Sequence, residues 1–208
     1  MQFKQEKYLD QLIERMYNGQ IKVITGIRRC GKSFLLFNIF AEYLKYLTES
    51  FLFRQAKRYD VKGKKYFEYP SKFYCEDIGL RNVRLNMRQQ EETHIMENII
   101  YNDLLIKGYS VDVGVVKISE TGDDGKSHQK SCEIDFIACK GMKKYYIQSA
   151  LSIADPDKAA QEARPLLAVK DFFQKIIVTK TAMKPWIDEK GVVHIGLYDF
   201  LLQDDVLN

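Results

Sequence analysis

The stretch KVITGIRRCGKSFLLFNIF, residues 22–40, dictates its own local backbone. IKVIT is short, apolar and β-branched, which predicts a strand. SFLLFNIFAEYLKYL is apolar on most sides, which predicts a helix packed on a sheet. Between them, GIRRCGKS matches G-x-x-x-x-G-K-[ST] through Gly26, Gly31, Lys32 and Ser33. Gly26 leaves the strand in a conformation that side chains would obstruct. Gly31 lets backbone N–H groups curl round phosphates, Lys32 reaches the β- and γ-phosphates, and Ser33 places a hydroxyl on Mg²⁺. The following helix adds the positive end of its dipole. The cofactors this predicts are ATP and Mg²⁺.

Such a site needs a second half, an apolar strand ending in a metal-holding carboxylate. Parallel strands need crossovers of about a dozen residues or more. The interval between residues 47 and 73 has no room for several of them. KFYCED, residues 72–77, is the downstream candidate. It is short, follows a Pro-Ser turn and ends no βαβ series, so it is not expected to serve. The expectation is weak nucleotide binding without ordinary hydrolysis.

The chain has 208 residues, of which 46% are hydrophobic and 29% charged, enough to bury a core. The net charge of +4 is too small to name a partner, so local charge has to. Cys30, Cys75, Cys132 and Cys139 lack the paired spacing of a zinc site or a disulfide framework. Reduced thiols in a cytoplasm are expected. No apolar run reaches the ~18 residues of a membrane span, and the charged start is unlike a signal peptide. Tyr8, Leu9, Leu12, Ile13 and Met16 predict a first helix over 5–17, ended by Asn18-Gly19.

Residues 51–69, FLFRQAKRYDVKGKKYFEY, hold two aromatic runs around DVKGKK, a hairpin signal centred on Gly63. Arg58, Lys62, Lys64 and Lys65, with Arg54, Lys57 and Lys72, make it basic. A helix followed by a basic hairpin resembles a winged-helix module, whose wing can lie on DNA phosphates. The alternative is a solvated basic hairpin that binds nothing.

Beyond it the pattern predicts a helix (90–109), a strand (111–118), a polar hairpin loop (119–131) and strands over CEIDFIAC and KYYIQSALSI. A helix ending near Pro165, a strand over QKIIVTKT, and a last strand and short helix in GVVHIGLYDFLL complete an α/β core. His94, Glu97, Asn98 and Tyr101 share one face of the first helix. Asp135 lies on a strand, with Ile134 and Phe136 expected on its opposite face, and Gln148 lies on the next strand.

An acid on a helix, an Asp on a strand and E-x-K on the neighbouring strand resemble restriction-endonuclease-like sites. That resemblance implies that Glu97 and Asp135 hold Mg²⁺ while a lysine positions water. Here the triplet reads Gln148-Ser149-Ala150, so an amide replaces the acid and a methyl replaces the lysine. Lys143 or Lys144 could substitute for the missing lysine. The residues leave open an active nuclease, a degenerate one used for binding or scaffolding, a DNA- or partner-binding module, and polar residues that are merely structural.

Taken together, ITGIRRCGKS, ESFLFRQAKRYDVKGKKYFEYPSKFYCEDIGLRN, HIMENIIYNDLLIKGYSVDVGVV, EIDFIA and YYIQSA resemble a bacterial and archaeal family of AAA-type P-loop ATPases. In that family a P-loop domain and a winged-helix segment precede a C-terminal restriction-endonuclease-like domain of unknown function. The resemblance implies a truncated P-loop unit over 1–46, a winged-helix remnant over 47–85 and a nuclease-like α/β domain over 86–208. It also implies an internal shortening near 41–47 that removed Walker B, the sensor residues and any arginine finger. A lone strand and helix leave apolar surface uncovered, so self-association as a homo-oligomer is expected.

Overall fold

The structure, a computed structural model, describes residues 32–88, 91–121 and 127–203. The expected helix at 5–17, the strand at 21–25, Gly26 and Gly31 lie outside the described residues. The chain forms two compact units, Met1–Phe53 and Arg54–Asn208.

In the first unit, helix α1 (Lys32–Glu49) begins at the Lys-Ser pair of the glycine loop. It ends where the N–H groups of Ser50, Phe51 and Leu52 donate back to the carbonyls of Tyr46, Thr48 and Leu47. Phe51 sits at φ 57°, a left-handed turn more often given to glycine.

The following elements are β1 (Phe53–Asp60), β2 (Lys65–Cys75), α2 (Ile78–Arg84), α3 (Glu92–Ile106), β3 (Ser110–Thr121), β4 (Ser127–Lys140) and β5 (Lys143–Ala150). Then come α4 (Pro156–Leu167), β6 (Gln174–Thr179), β7 (Trp186–Ile187), β8 (Val192–Gly196) and α5 (Leu197–Leu202). The strands form one sheet in the order β2-β1-β3-β4-β5-β6-β8-β7. The β1–β3, β5–β6 and β6–β8 pairs are parallel, and β3–β4, β4–β5 and β7–β8 are antiparallel. This is the expected mixed α/β class.

Helices cover both faces. Met96, Ile100, Tyr101 and Leu104 of α3 and Phe200 of α5 pack on Phe136, Ile147, Ile176, Val178 and Ile195. Ala163 and Leu166 of α4 pack on Ile134, Ile137, Tyr146, Ile177 and Val192. Strands β6 and β8, buried on both sides, have no polar face, which is why KIIVT and VVHIG read as continuous apolar runs.

The predicted hairpin is β1–β2, the outer edge of this same sheet, in one compact unit with the strands beyond residue 86. Its turn is held by Asp60, whose Oδ1 accepts from the N–H groups of Lys62 and Gly63 at 3.1 and 2.8 Å. One expectation is corrected. The polar stretch 119–131 is mostly strand, because β3 and β4 pair out to Thr121↔Ser127. Residues 127–131 are exposed, so no apolar alternation marks them. Helix α4 ends near Pro165 as expected, at Leu167; proline so near the end forfeits a single backbone hydrogen bond. Helix α2, capped by Asp77 on the N–H of Leu80, carries no buried residue and hence no apolar periodicity to read. No helix among the described residues is long and apolar enough to cross a membrane.

Candidate functional site

The site lies where β4 and β5 part. Their pairing stops at Phe136↔Ile147, while β4 stays paired with β3 far beyond. Next to the fork, Asp112 faces Ile137 but Gly114 faces Ile134, so β4 holds one residue more than β3. Such a bulge breaks strand alternation and re-aims side chains. Ile134 keeps to the α4 core. Phe136, expected on the face opposite Asp135, instead packs with Tyr74 and Tyr101 at 6.0 and 6.2 Å between ring centres. Asp135 and Phe136 thus both serve the α3 side.

Asp135 fills the gap between the separated strands. Its Oδ2 accepts from the Ser149 N–H at 2.9 Å, and its own N–H meets Gln148 Oε1 at 3.4 Å. Glu97 reaches in from α3, where its Oε1 accepts from the Tyr74 hydroxyl at 2.6 Å and from Lys72 Nζ at 2.7 Å. The Lys72 ammonium also pairs with Glu133 Oε1 at 2.5 Å and lies 3.8 Å from Asp135 Oδ1. Arg58 pairs with the other oxygen of Glu133 at 2.7 Å. Two cations therefore face three carboxylates.

Alternation explains the convergence. Lys72 and Tyr74 lie two apart on β2, and Glu133 and Asp135 two apart on β4, Asp135 being the first residue of the bulge, so each pair shares a face. The neighbouring Asn98 fastens α3 to β2. It accepts from the Cys75 N–H at 2.9 Å and donates to the Cys75 carbonyl at 2.8 Å.

The charges respond to burial. Asp135 is pushed up to about 7, first by burial and then by the Glu97 charge, against the pull of Lys72. Burial works against the Lys72 ammonium, but the charge of Glu97 and the bonds to Glu133 and Glu97 outweigh it, and its pKa rises. Tyr74 is held neutral, its pKa raised by burial and by Glu97. A cleft of about 340 Å³ opens onto this group, lined in part by Lys72, Tyr74, Arg81, His94 and Glu97.

Of the residues expected from the sequence, Glu97 and Asp135 meet through Lys72. Gln148 is buried at 8% exposure, but it turns toward α4 and donates to Glu162 Oε2 at 3.2 Å. Among the four residues placed on one face of α3, Glu97, Asn98 and Tyr101 are buried, whereas His94 is exposed and pairs with Glu91. Lys143 and Lys144 do not replace the missing lysine. They pair with Lys140 and Cys139, five and four strand steps from Asp135, or roughly 13–17 Å. The Lys144 ammonium lies over the rings of Tyr146, Phe173 and Tyr59.

Arg58, expected on the DNA-binding hairpin, belongs to the carboxylate cluster instead. Lys62, Lys64 and Lys65 are exposed around the turn. In 72–77, Asp77 caps α2 and Glu76 pairs with Arg54. Lys32 and Ser33 open α1, and their side chains lie outside the described residues. Sequence reasoning missed the roles of Lys72, Tyr74 and Glu133; the signal available was their two-residue spacing from an aromatic or an acid.

The Mg²⁺ that the resemblance implies does not fit the group as it stands. Among the described residues no three His, Cys, Asp or Glu side chains are placed to hold a metal ion. Their oxygens are spaced around an ammonium.

An uncharacterized protein of Haemophilus influenzae is 37% identical over 164 residues, which cover 78% of this chain. The chain spans about a third of that relative's length, 36%. No protein-family model matches the chain, and no solved structure does.

Proposed function

We propose that this chain is a nucleotide-binding protein of the AAA-type P-loop ATPase kind, impaired in hydrolysis. The observation that carries the reading is GIRRCGKS followed at once by an 18-residue helix starting at Lys32. That succession is what a phosphate-cradling loop requires. Gly26, Gly31, Lys32 and Ser33 would hold the phosphates and Mg²⁺. Without a second carboxylate strand the metal site is half built. The self-association expected of a lone strand and helix and a cytoplasmic setting belong to the same proposal. Titration calorimetry with a non-hydrolysable ATP analogue, with and without Mg²⁺, tests it on the wild type and Lys32→Ala. Mg²⁺-dependent heat that the variant loses supports the reading, whereas no heat at millimolar nucleotide sinks it.

A second reading concerns the Arg54–Asn208 unit: a nuclease-like scaffold that binds DNA or a partner and does not cleave. The observation that favours it is Lys72, whose ammonium stands amid the carboxylates that a nuclease would spend on metal. DNA contact through Lys62, Lys64 and Lys65 is part of this reading.

A further inference from the structure

We propose that Lys72 is the resident cation of the β4–β5 fork, and that Lys72 and a divalent metal ion are mutually exclusive occupants of the space between Glu97, Glu133 and Asp135. The inference rests on the scaffold reading and is independent of the nucleotide reading.

Three features carry it. The ammonium contacts carboxylate oxygens from two different elements, at 2.7 Å on α3 and 2.5 Å on β4, with Asp135 Oδ1 at 3.8 Å. The two shorter distances approach the ~2.3–2.6 Å of Ca²⁺ on oxygen, and a smaller ion such as Mg²⁺, at ~2.0–2.1 Å, would need the carboxylates to close further once the ammonium was removed. Next, the cleft that opens onto Lys72 and Glu97 gives an ion a way in. Finally, Ser149 Oγ is buried without a hydrogen-bond partner. Gln148 reaches α4 and Ala150 lies in the α4 core, so strand alternation puts Ser149 on the α3 side. Its own N–H already bonds Asp135 there. A hydroxyl at that place is a further oxygen for a cation, or for water bound to one.

The lysine is also an economical substitute. A divalent ion can be lost to solvent, whereas the ammonium stays tethered to β2. Three ionised carboxylates with only Arg58 for company would repel one another, and Lys72 keeps them together without any metal supply.

The test uses the full chain, stripped of metal with a chelator and free of nucleotide, titrated with Mn²⁺ by calorimetry and by loss of the free-ion paramagnetic resonance signal. Lys72→Ala should bind one Mn²⁺ at least about tenfold tighter than the wild type, since a repelling positive charge some 4 Å away has gone. Lys72→Met, which keeps the packing of the lysine stem, guards against a folding failure and should behave alike. Adding Asp135→Asn to either variant should remove the gain. Mn²⁺ affinity unchanged from wild type in both variants, or a gain that survives Asp135→Asn, overturns the proposal. A metal-free double-mutant cycle of Lys72→Met and Asp135→Asn in urea separates the two readings. Additive effects would sink the shared site and the scaffold reading with it. Coupled effects without Mn²⁺ uptake would sink only the exchange.

Discussion

Asp135→Asn is the most informative single substitution, and its sign is unusual for a site aspartate: it should stabilise the protein at alkaline pH. The Asp135 carboxyl rises from an ordinary 3.8 to about 7 in the folded chain, chiefly through burial. Between those values the folded state keeps a proton that the unfolded state releases. Stability is then lost as pH rises from about 4 to 7, and the whole penalty is present above that. The interval is about 3 pH units, and at 1.36 kcal/mol per unit the penalty is about 4 kcal/mol. That figure already contains the attraction of Lys72, which opposes the rise. Asparagine has the same shape, and its carbonyl can accept from the Ser149 N–H as Asp135 Oδ2 does at 2.9 Å, but it carries no charge to bury. Urea unfolding of wild type and variant at pH 4, 6 and 8 gives the difference, in which carboxylates away from the cluster cancel while Glu97, whose charge acts on Asp135, contributes with it. The difference should be near zero at pH 4 and grow in favour of the variant to about 4 kcal/mol at pH 8. A difference that stays flat across the range, or a variant less stable at pH 8, would refute the buried-carboxylate argument.

Three further outcomes follow from the same geometry. Asn98→Ala strands the Cys75 N–H, because Asn102 at 2.9 Å can still serve the Cys75 carbonyl but not the N–H; a loss of about 1–3 kcal/mol in urea unfolding is expected. Gly114→Ala puts a methyl 3.0 Å from Ile134 Cβ and 3.1 Å from Ile137 Cδ1, at the bulge itself; it should cost about 1–3 kcal/mol in thermal or urea unfolding. Joint replacement of Lys62, Lys64 and Lys65 by Glu should weaken DNA retention and lower its salt slope by about 3, with stability unchanged within about 0.5 kcal/mol because all three are exposed. Equal retention by the triple variant would move any DNA contact away from the hairpin.

The elements with one apolar period were readable before any coordinates. Helix α3, the buried strands β5, β6 and β8, and helix α5 fall where periodicity puts them, because packing on a doubly covered sheet demands those residues. What periodicity cannot see is structure that buries nothing. Helix α2 has no buried residue. The arm of β3 and β4 beyond residue 119 has solvent on much of its surface, and its residues were read as a loop for the same reason. Trp186–Ile187 is held in the sheet by two pairings to β8 and keeps both side chains exposed.

The site was half legible for a different reason. Glu97 and Asp135 could be chosen because an acid on a helix and an Asp on a strand resemble restriction-endonuclease-like sites, and burying such acids demands a compensating group nearby. Which group compensates is a matter of strand order, and strand order is not local. Lys143 and Lys144 are close to Asp135 in sequence but lie far up the β5 strand. Lys72 is 63 positions away in the sequence, yet it arrives on β2, the edge strand under α3. A one-residue insertion in β4 then decides the rest. Without the bulge between Ile134 and Ile137, Phe136 would follow plain alternation and its ring would leave Tyr74 and Tyr101. Asp135, two residues from Glu133, would keep its face. The bulge faces Gly114 on β3, where a side chain would collide with Ile134 and Ile137. The aromatic packing beside the fork therefore depends on a residue with no chemistry of its own, and Gly114→Ala should disturb the Lys72–Asp135 coupling through Tyr74 as well as the stability. Coupling that is intact in that background would mean the fork is held by α3 and Asn98 alone.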